Sequence, residues 1–139
     1  YLNNVMAKIE AIQGGGEEGV MLNEQGFVAE CTGDNLFIVK RGEVFTPPIS
    51  AGALDGITRR AAMDLLKEMN VPCQEVNMTR HDIFTADECF LTGTAAEVIA
   101  AVVLDRRPIG SGKPGPLTQK LIEKFKVLAN STGTPVSYS

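Results

Sequence analysis

The feature that most restricts the fold of this chain is a pair of apolar runs. A short turn joins the two runs, and two prolines follow the second. Leu36-Phe37-Ile38-Val39 precedes the turn Lys40-Arg41-Gly42-Glu43, and Val44-Phe45-Thr46 follows it. Aromatic and β-branched runs on either side of a glycine-containing turn predict a β-hairpin. Pro47-Pro48 ends the second strand, because proline has no N–H group to donate to a neighbouring strand. The chain therefore contains a sheet, which must be buried against other elements.

Helical patterns occur in four places. The first helix ends at Gly14-Gly15-Gly16, since glycine readily adopts the left-handed conformation of a helix end. The second is predicted to begin at Asp55 as N-cap and to end near Asn70, before Pro72. A short helical turn is predicted at residues 79–84, and a final helix follows the Gly- and Pro-rich loop 108–116. The apolar stripes are Leu2, Val5, Met6, Ile9 and Ile12 in the first helix, Ile57, Ala61, Leu65, Leu66 and Met69 in the second, and Leu121, Ile122, Phe125 and Leu128 in the last.

Further strands are predicted between these helices. They cover residues 19–22, 27–31, 72–78, 88–92 and 98–104. The order is helix, strands, helix, strands, helix, without an internal repeat or a linker. The sequence therefore predicts one mixed α/β domain over residues 1–139.

Composition excludes several classes of protein. With 44% hydrophobic and 22% charged residues, the chain has the composition of a globular domain. A net charge of −4 and the lack of a basic run argue against nucleic-acid and anionic-membrane partners. The longest apolar stretch, residues 98–104, is too short to cross a bilayer, and no signal peptide is visible. We therefore expect neither a nucleic-acid nor a membrane partner.

The cysteines predict no metal site. Cys31, Cys73 and Cys89 form no Cys-x-x-Cys pair, and the one histidine, His81, has no companion at ligand spacing. His81 lies in a polar stretch typical of an exposed turn, which also disfavours Ser/His/Asp catalysis. Three dispersed thiols suit a reducing cytoplasm, and we expect all three to be buried small apolar groups.

Two loops are candidate anion sites. Residues 50–58 are a loop of small residues that opens a helix, where free N–H groups and the positive end of the helix dipole attract an anion. Thr58 adds a hydroxyl there. Leu91-Thr92-Gly93-Thr94-Ala95-Ala96 is a strand followed by a glycine turn whose amides and hydroxyls suit a phosphate or a carboxylate. An ordinary helix start and an ordinary turn remain open as the alternatives.

Glu30 is a third candidate, because it lies in the apolar run Phe27-Val28-Ala29-Glu30-Cys31. By alternation Glu30 shares a face with Val28. A carboxylate there has to be paired, protonated or directed to solvent.

The run from Phe27 to Val39, which contains Glu30-Cys31-Thr32-Gly33-Asp34-Asn35, resembles the branched-chain amino acid aminotransferases, which are pyridoxal-phosphate enzymes of fold type IV. The similarity spans nearly the whole chain in the family's order. Its other motifs are Tyr1-Leu2-Asn3-Asn4, Thr46-Pro47-Pro48, Gly56-Ile57-Thr58-Arg59, Leu91-Thr92-Gly93-Thr94-Ala95-Ala96-Glu97, Arg107-Pro108-Ile109-Gly110 and Gly112-Lys113-Pro114-Gly115-Pro116. The fold that this implies is the C-terminal domain of these enzymes, a curved mixed sheet flanked by helices.

The resemblance also implies the roles of individual residues toward pyridoxal 5′-phosphate. Glu30 would pair with the pyridine nitrogen and keep it protonated. Tyr1 would hydrogen-bond the phenolic oxygen, and Leu54 would pack on the ring face. The phosphate would be bound by the amides of Ile57 and Thr58, together with Thr94. The loop Thr94-Ala95-Ala96 would receive the substrate α-carboxylate.

One catalytic group of the family has no match here. The lysine that forms the Schiff base lies a few residues before the tyrosine that Tyr1 matches, and the small N-terminal domain precedes it. We therefore expect residues 1–139 to be the C-terminal cofactor domain alone. We expect them to contain no catalytic residue and to be inactive.

The implied parent protein transfers an amino group between Leu, Ile or Val and 2-oxoglutarate by a ping-pong mechanism, as a cytoplasmic homo-oligomer. Its partners would be small amino acids and 2-oxo acids. Three alternatives remain open: a D-amino-acid transaminase, an aminodeoxychorismate lyase, or a non-catalytic module that binds a phosphorylated ligand.

Overall fold

The computed structural model describes residues 1–131, which form four α-helices, nine short strands and one 3-10 helix at Ile49–Ala51. The helices are α1 (Leu2–Gln13), α2 (Ile57–Glu68), α3 (Arg80–Phe84) and α4 (Pro116–Ser131). The strands are β1 (Val20–Leu22), β2 (Val28–Cys31), β3 (Asn35–Lys40), β4 (Glu43–Thr46), β5 (Cys73–Glu75), β6 (Glu88–Gly93), β7 (Glu97–Ala100), β8 (Val103–Leu104) and β9 (Arg107–Pro108).

Five strands form the main sheet, in the order β5-β4-β3-β6-β7. β3 pairs antiparallel with β4 and β6, and β6 pairs antiparallel with β7. β4 and β5 are parallel, because the chain crosses over through α2 between them. The predicted hairpin is confirmed: Lys40 pairs with Glu43, and Arg41 and Gly42 have φ angles of 51° and 78°. Two positive φ values are what a two-residue hairpin turn requires.

The sheet separates two apolar clusters. Phe37 and Phe90 lie on adjacent strands and stack with ring centroids 4.8 Å apart. They pack with Leu65 and Leu66 of α2 and with Leu121 of α4. The cluster on the other side of the sheet consists of Val28, Cys31, Leu36, Ile38, Met78, Ile83, Ala86, Cys89, Leu91 and Ile109. This mixed sheet with helices packed against it confirms the predicted mixed α/β class.

The start of α2 differs from the prediction. Gly56, not Asp55, is the N-cap residue, and it makes no side-chain cap. Ile57 is 80% exposed, so it is not part of the buried stripe. The buried residues of α2 are Thr58, Arg59, Ala62, Leu65 and Leu66. Successive residues of an α-helix are about 100° apart around its axis, so residues four apart share a face. Thr58 therefore points inward with Ala62 and Leu66, whereas Ile57 lies at the edge of this face.

Two predicted strands are shorter than expected. The strand predicted at residues 72–78 is only Cys73–Glu75, because its partner β4 ends at Thr46 before Pro47 and Pro48. The strand predicted at residues 98–104 divides into β7 and β8. The chain leaves the main sheet after Ala100 to form a separate hairpin with β9.

Burial of the thiols agrees with the prediction at two of the three positions. Cys31 and Cys89 are buried, whereas Cys73 is half-buried on the edge strand β5. An edge strand has a neighbour on one side only, so part of its surface stays accessible.

The predicted first helix forms, but none of its residues is buried. The apolar stripe of α1 is 40–71% exposed at Leu2, Val5, Met6, Ile9 and Ile12. Polar contacts hold α1 to the rest of the chain: Asn4 Nδ2 lies 3.3 Å from the Thr32 carbonyl oxygen, and Lys8 Nζ lies 2.9 Å from Glu18 Oε2.

Candidate functional site

Glu30 is half-buried in β2 and is bonded to a loop far away in the sequence. The backbone N–H of Leu54 donates to Glu30 Oε2, with 2.8 Å between the nitrogen and the oxygen. Val28, Ala29 and Cys31 around it are all buried, so neither face of this strand is fully open to solvent. The carboxylate is therefore paired with a backbone donor, as its apolar surroundings require.

The side chain of Asn35 holds the other side of the same loop. Asn35 is 5% exposed at the start of β3, and its Nδ2 donates to the Leu54 carbonyl oxygen at 2.8 Å. The same nitrogen lies 3.5 Å from Glu30 Oε2, the outer limit of a hydrogen bond. The Leu54 peptide is thus fixed at its N–H by Glu30 and at its carbonyl by Asn35.

This loop leads directly into α2, whose first turn has free backbone donors. The N-cap Gly56 makes no side-chain cap, and the first turn contains no acidic residue. By contrast, α3 has a capping box formed by Thr79 and Asp82, and Glu88 accepts from the first amides of α4. The N–H groups of Ile57 and Thr58 therefore remain available to an anion.

The predicted glycine turn connects β6 to β7. Gly93 pairs with Glu97, and Thr94, Ala95 and Ala96 form the turn between them. Thr94 and Ala95 are exposed, and Ala96 is half-buried. A side chain at position 93 would overlap the Asp34 carboxylate, so glycine is needed for this close approach.

Strand register brings part of the predicted site to one end of the sheet. Asn35 pairs with Thr92, directly before the Gly93 turn. Glu30, the loop from Leu54 to Gly56 and the end of β6 are therefore connected through Asn35.

Tyr1 is not part of this cluster. It is 98% exposed at the N-cap of α1, and its side chain makes no hydrogen bond within residues 1–131. Leu54 is also open, with 70% of its surface exposed. Two surface cavities of the described chain lie elsewhere: one borders α3 near His81, and the other lies between α2 and α4. The described residues thus form one wall of a site and do not enclose it.

Arg59 stabilises the start of α2 from its buried side. It is 3% exposed, its Nη2 donates to the Pro47 carbonyl oxygen at 3.2 Å, and it forms an ion pair with Glu75 of β5. The first turn of α2 is thereby tied to both β4 and β5. Arg59 and Asn35 were named above only within motifs, and neither was predicted to have a role of its own. A buried arginine or asparagine leaves no periodic signal that would have indicated one.

A cluster of charged groups anchors the turn before Asn35. Glu18 Oε1 accepts from the Thr32 N–H at 3.1 Å, and Glu18 Oε2 pairs with Lys8. Burial, reinforced by the nearby Glu18 carboxylate, raises the pKa of Asp34 above its ordinary value. The turn that carries Asp34 and Asn35 is therefore fixed to both α1 and the Gly93 turn.

The environments of the three cysteines disfavour the thiolate form. Burial raises the pKa of Cys89 to about 12 and of Cys73 to about 11, and it raises the pKa of Cys31 well above its ordinary value. The thiols therefore stay protonated near neutral pH, and protonated thiols react slowly.

His81 is exposed, as predicted. Within residues 1–131, no group of three or more His, Cys, Asp or Glu side chains is arranged to hold a metal ion, and no helix is long and apolar enough to span a membrane.

The fold and these motifs define a class of enzyme domain. Residues 1–103, most of the chain, match the family model of amino-transferase class IV, and the chain belongs to this family. Among relatives, it is 46% identical over 125 residues to the branched-chain-amino-acid aminotransferase of Pseudomonas aeruginosa, a match that covers 90% of this chain and 40% of the relative.

Solved structures agree with this assignment. The branched-chain amino acid aminotransferase of Thermobaculum terrenum, in its PLP-bound holo form, superposes with a TM-score of 0.89 and 36% identity, covering 92% of this chain and 42% of that one. The Escherichia coli enzyme gives a TM-score of 0.90 and 39% identity, covering 92% and 43%. The resemblance and the fold that it implied are confirmed. The chain spans less than half the length of the relatives that it matches.

Proposed function

We propose that this chain is the cofactor-binding, C-terminal part of a branched-chain amino acid aminotransferase that uses pyridoxal 5′-phosphate. The observation that carries the proposal is the hydrogen bond from the Leu54 N–H to Glu30 Oε2. It joins the carboxylate expected at the pyridine nitrogen to the loop that opens α2, where the phosphate is expected. Identities of 39–48% to branched-chain enzymes support this substrate class.

The donor set suits this cofactor. Ile57 and Thr58 offer amides at an uncapped helix start without a competing carboxylate in the first turn, as a phosphate requires. Thr94 would add its hydroxyl, and the amides of the Thr94-Ala95-Ala96 turn would receive the substrate carboxylate. The exposed side chain of Leu54 is available to cover a ring face, and Tyr1 is assigned to the phenolic oxygen.

Each group has a definite chemical task. Bound pyridoxal phosphate supplies an electron sink for breaking a bond at the substrate Cα. Glu30 keeps a proton at the pyridine nitrogen, which makes that sink effective. The amides of α2 neutralise the phosphate charge and fix the orientation of the ring. Transfer of the amino group between Leu, Ile or Val and 2-oxoglutarate in two half-reactions follows from this assignment.

The chain alone is not expected to complete the reaction. None of its seven lysines lies at the position of the family's catalytic lysine, and Lys8 and Lys40 are held by Glu18 and Asp82. Borohydride treatment with pyridoxal phosphate, followed by intact mass measurement, tests this point. We expect no cofactor adduct at a single defined lysine.

A change at one backbone amide tests the phosphate site. Ile57→Pro removes one N–H at the first helical position, where proline is tolerated. Gly56, with φ −70° and ψ 144°, already has the extended conformation that precedes proline. We expect the affinity of the full-length protein that contains this chain for pyridoxamine 5′-phosphate to fall by about one to two orders of magnitude, since hydrogen bonds to charged groups contribute about 1.5–3 kcal/mol. Ile57→Ala, which keeps the amide, is the control; equal affinities of both variants would contradict the assignment.

Substrate class is tested on the full-length protein that contains this chain. Transamination of leucine supports the proposal, whereas a preference for D-alanine or turnover of aminodeoxychorismate identifies one of the related enzymes. A non-catalytic module that binds phosphorylated ligands is supported by one observation, the start of α2 without a side-chain cap. It would bind the cofactor reversibly in the full-length protein as well.

We further propose a homo-oligomer, because the apolar face of α1 is uncovered, and a cytoplasmic location, because the thiols are free.

A further inference from the structure

Asn35 links three parts of the proposed cofactor site: Glu30 on β2, the end of β6 and the loop that opens α2. It begins β3, pairs with Thr92 before the Gly93 turn, and bonds to the loop that opens α2. Its side chain is almost fully buried, with 5% exposed. A buried amide with defined partners on two sides constrains the groups to which it binds.

The two ends of the Asn35 amide have different neighbours. Nδ2 faces the Leu54 carbonyl at 2.8 Å and Glu30 Oε2 at 3.5 Å. Oδ1 lies against Gly56, where a Cβ would approach it to 2.6 Å. Gly56 therefore provides the space that Asn35 needs, and its own N–H also donates to the Leu54 carbonyl at 2.9 Å.

These contacts determine which oxygen of Glu30 is free. Oε2 accepts from the Leu54 N–H and faces Asn35 Nδ2, whereas Oε1 accepts no hydrogen bond described within residues 1–131. Fixing the Leu54 peptide fixes the donor that occupies Oε2. Oε1 is thereby left to accept a hydrogen bond from a ligand.

We propose that Asn35 is a positioning residue that holds Glu30 and the Leu54–Gly56 loop so that Glu30 Oε1 meets the pyridine nitrogen of the cofactor. This role rests on the proposed function. Asn35 itself does not touch the ring in this assignment; it acts through Glu30 and Leu54.

The test titrates the full-length protein that contains this chain with pyridoxamine 5′-phosphate labelled with ¹⁵N in the ring. Two quantities are measured: the dissociation constant, and the pH at which the ring nitrogen loses its proton. Asn35→Ala is expected to weaken binding about tenfold, the effect of one or two lost hydrogen bonds in a buried network. It is also expected to lower the pH at which the bound ring nitrogen deprotonates, because Glu30 is no longer held against it.

Gly56→Ala disturbs the same amide from the other side. Its φ of −70° permits alanine, but the new Cβ displaces Asn35 Oδ1. We expect the same shift of the ring-nitrogen titration as for Asn35→Ala, and no further shift in the double variant. Gly33→Ala, whose Cβ would meet only Glu18 at 3.7 Å, and Asn77→Ala, at an exposed position, are the matched controls.

The possible outcomes separate the two proposals. No binding of the probe by the wild-type full-length protein overturns both the proposed function and the role of Asn35. Binding with an unchanged ring-nitrogen titration in Asn35→Ala and Gly56→Ala overturns the role of Asn35 alone. If Asn35→Ala does not fold, the titration of Gly56→Ala decides. A shift in Gly56→Ala that is absent from both controls supports the positioning role.

Discussion

At the residue scale, polar side chains that are buried or half-buried tie the segments of the site to one another. Arg59, Asn35 and Glu30 each bind backbone groups of a segment distant in sequence. Removing one partner of a buried hydrogen bond leaves the other without compensation, which costs more than the bond itself contributes. These positions are therefore sensitive to small changes of side chain.

Arg59 shows this sensitivity most clearly. Arg59→Met removes the bond to the Pro47 carbonyl and leaves Glu75 unpaired. We expect the free energy of unfolding to fall by about 1–3 kcal/mol, measured by urea denaturation. Arg60→Met, on the exposed face of the same helix, should change it little. Equal losses in both variants would contradict the assigned role of Arg59.

The buried thiols predict a pH dependence of stability. The pKa of Cys89 is about 12 in the folded chain, against an ordinary value of 9.0. Between these values the unfolded chain loses the proton and the folded chain keeps it, so stability falls as pH rises above about 9. Urea denaturation measures the free energy of unfolding from below this pH up to about 11. Over this range it should decrease less in Cys89→Ala than in the wild type. Parallel curves for the two proteins would show that burial of Cys89 does not have this effect.

At the element scale, helix starts distinguish structural from ligand-binding roles. Glu88 is 8% exposed and accepts from the Leu117 N–H, the Thr118 N–H and the Thr118 hydroxyl at 3.1, 2.8 and 2.7 Å. It thus supplies from β6 the negative charge that the start of α4 requires. The start of α2 has no such group, which is why a ligand can fill that place.

Replacement of Glu88 tests this contrast. Glu88→Ala should lower the free energy of unfolding by about 1–2 kcal/mol, the usual effect of a lost helix cap. Calorimetry or urea denaturation measures the loss. Glu123→Ala on the exposed face of α4 is the control and should have little effect. An unchanged stability in Glu88→Ala would mean that α4 does not depend on this cap.

Element prediction succeeded where local patterns dominate. The hairpin of β3 and β4 was recognised because its apolar runs and turn are continuous in sequence. The N-cap of α2 was predicted at Asp55 but is Gly56. Asparagine, aspartate and serine are the usual N-cap residues, and a glycine N-cap has no side chain that would mark it in the sequence. The division of the strand at residues 98–104 depended on where β6 begins, since Ala100 pairs with Phe90 near the start of β6, and the local sequence does not specify this point.

At the scale of the whole molecule, α1 exposes most of its large apolar side chains. Its five apolar side chains are 40–71% exposed, and its anchors are polar. Such a continuous apolar surface is typical of a face that another protein surface covers.

We expect the purified chain to self-associate through α1. Light scattering over a range of concentrations should detect species larger than a monomer. Met6→Lys with Ile9→Glu places two charges in the stripe and should shift the population toward monomer. Ile49→Lys, also at an exposed apolar position but outside α1, is the control. A monodisperse wild-type monomer would contradict the expectation.

The amino-acid sequence by itself determined the types and order of the elements, the hairpin, and the motifs that identify the family. It could do so because periodicity, turn residues and motif spacing are all local properties of a chain. Only the tertiary structure decided that Glu30 binds Leu54, 24 residues away, that Asn35 lies between them, and that Ile57 faces outward. The physical reason is that hydrogen bonds between distant segments depend on how the sheet and α2 pack together. Such packing sets the distances between side chains without leaving a pattern in the sequence.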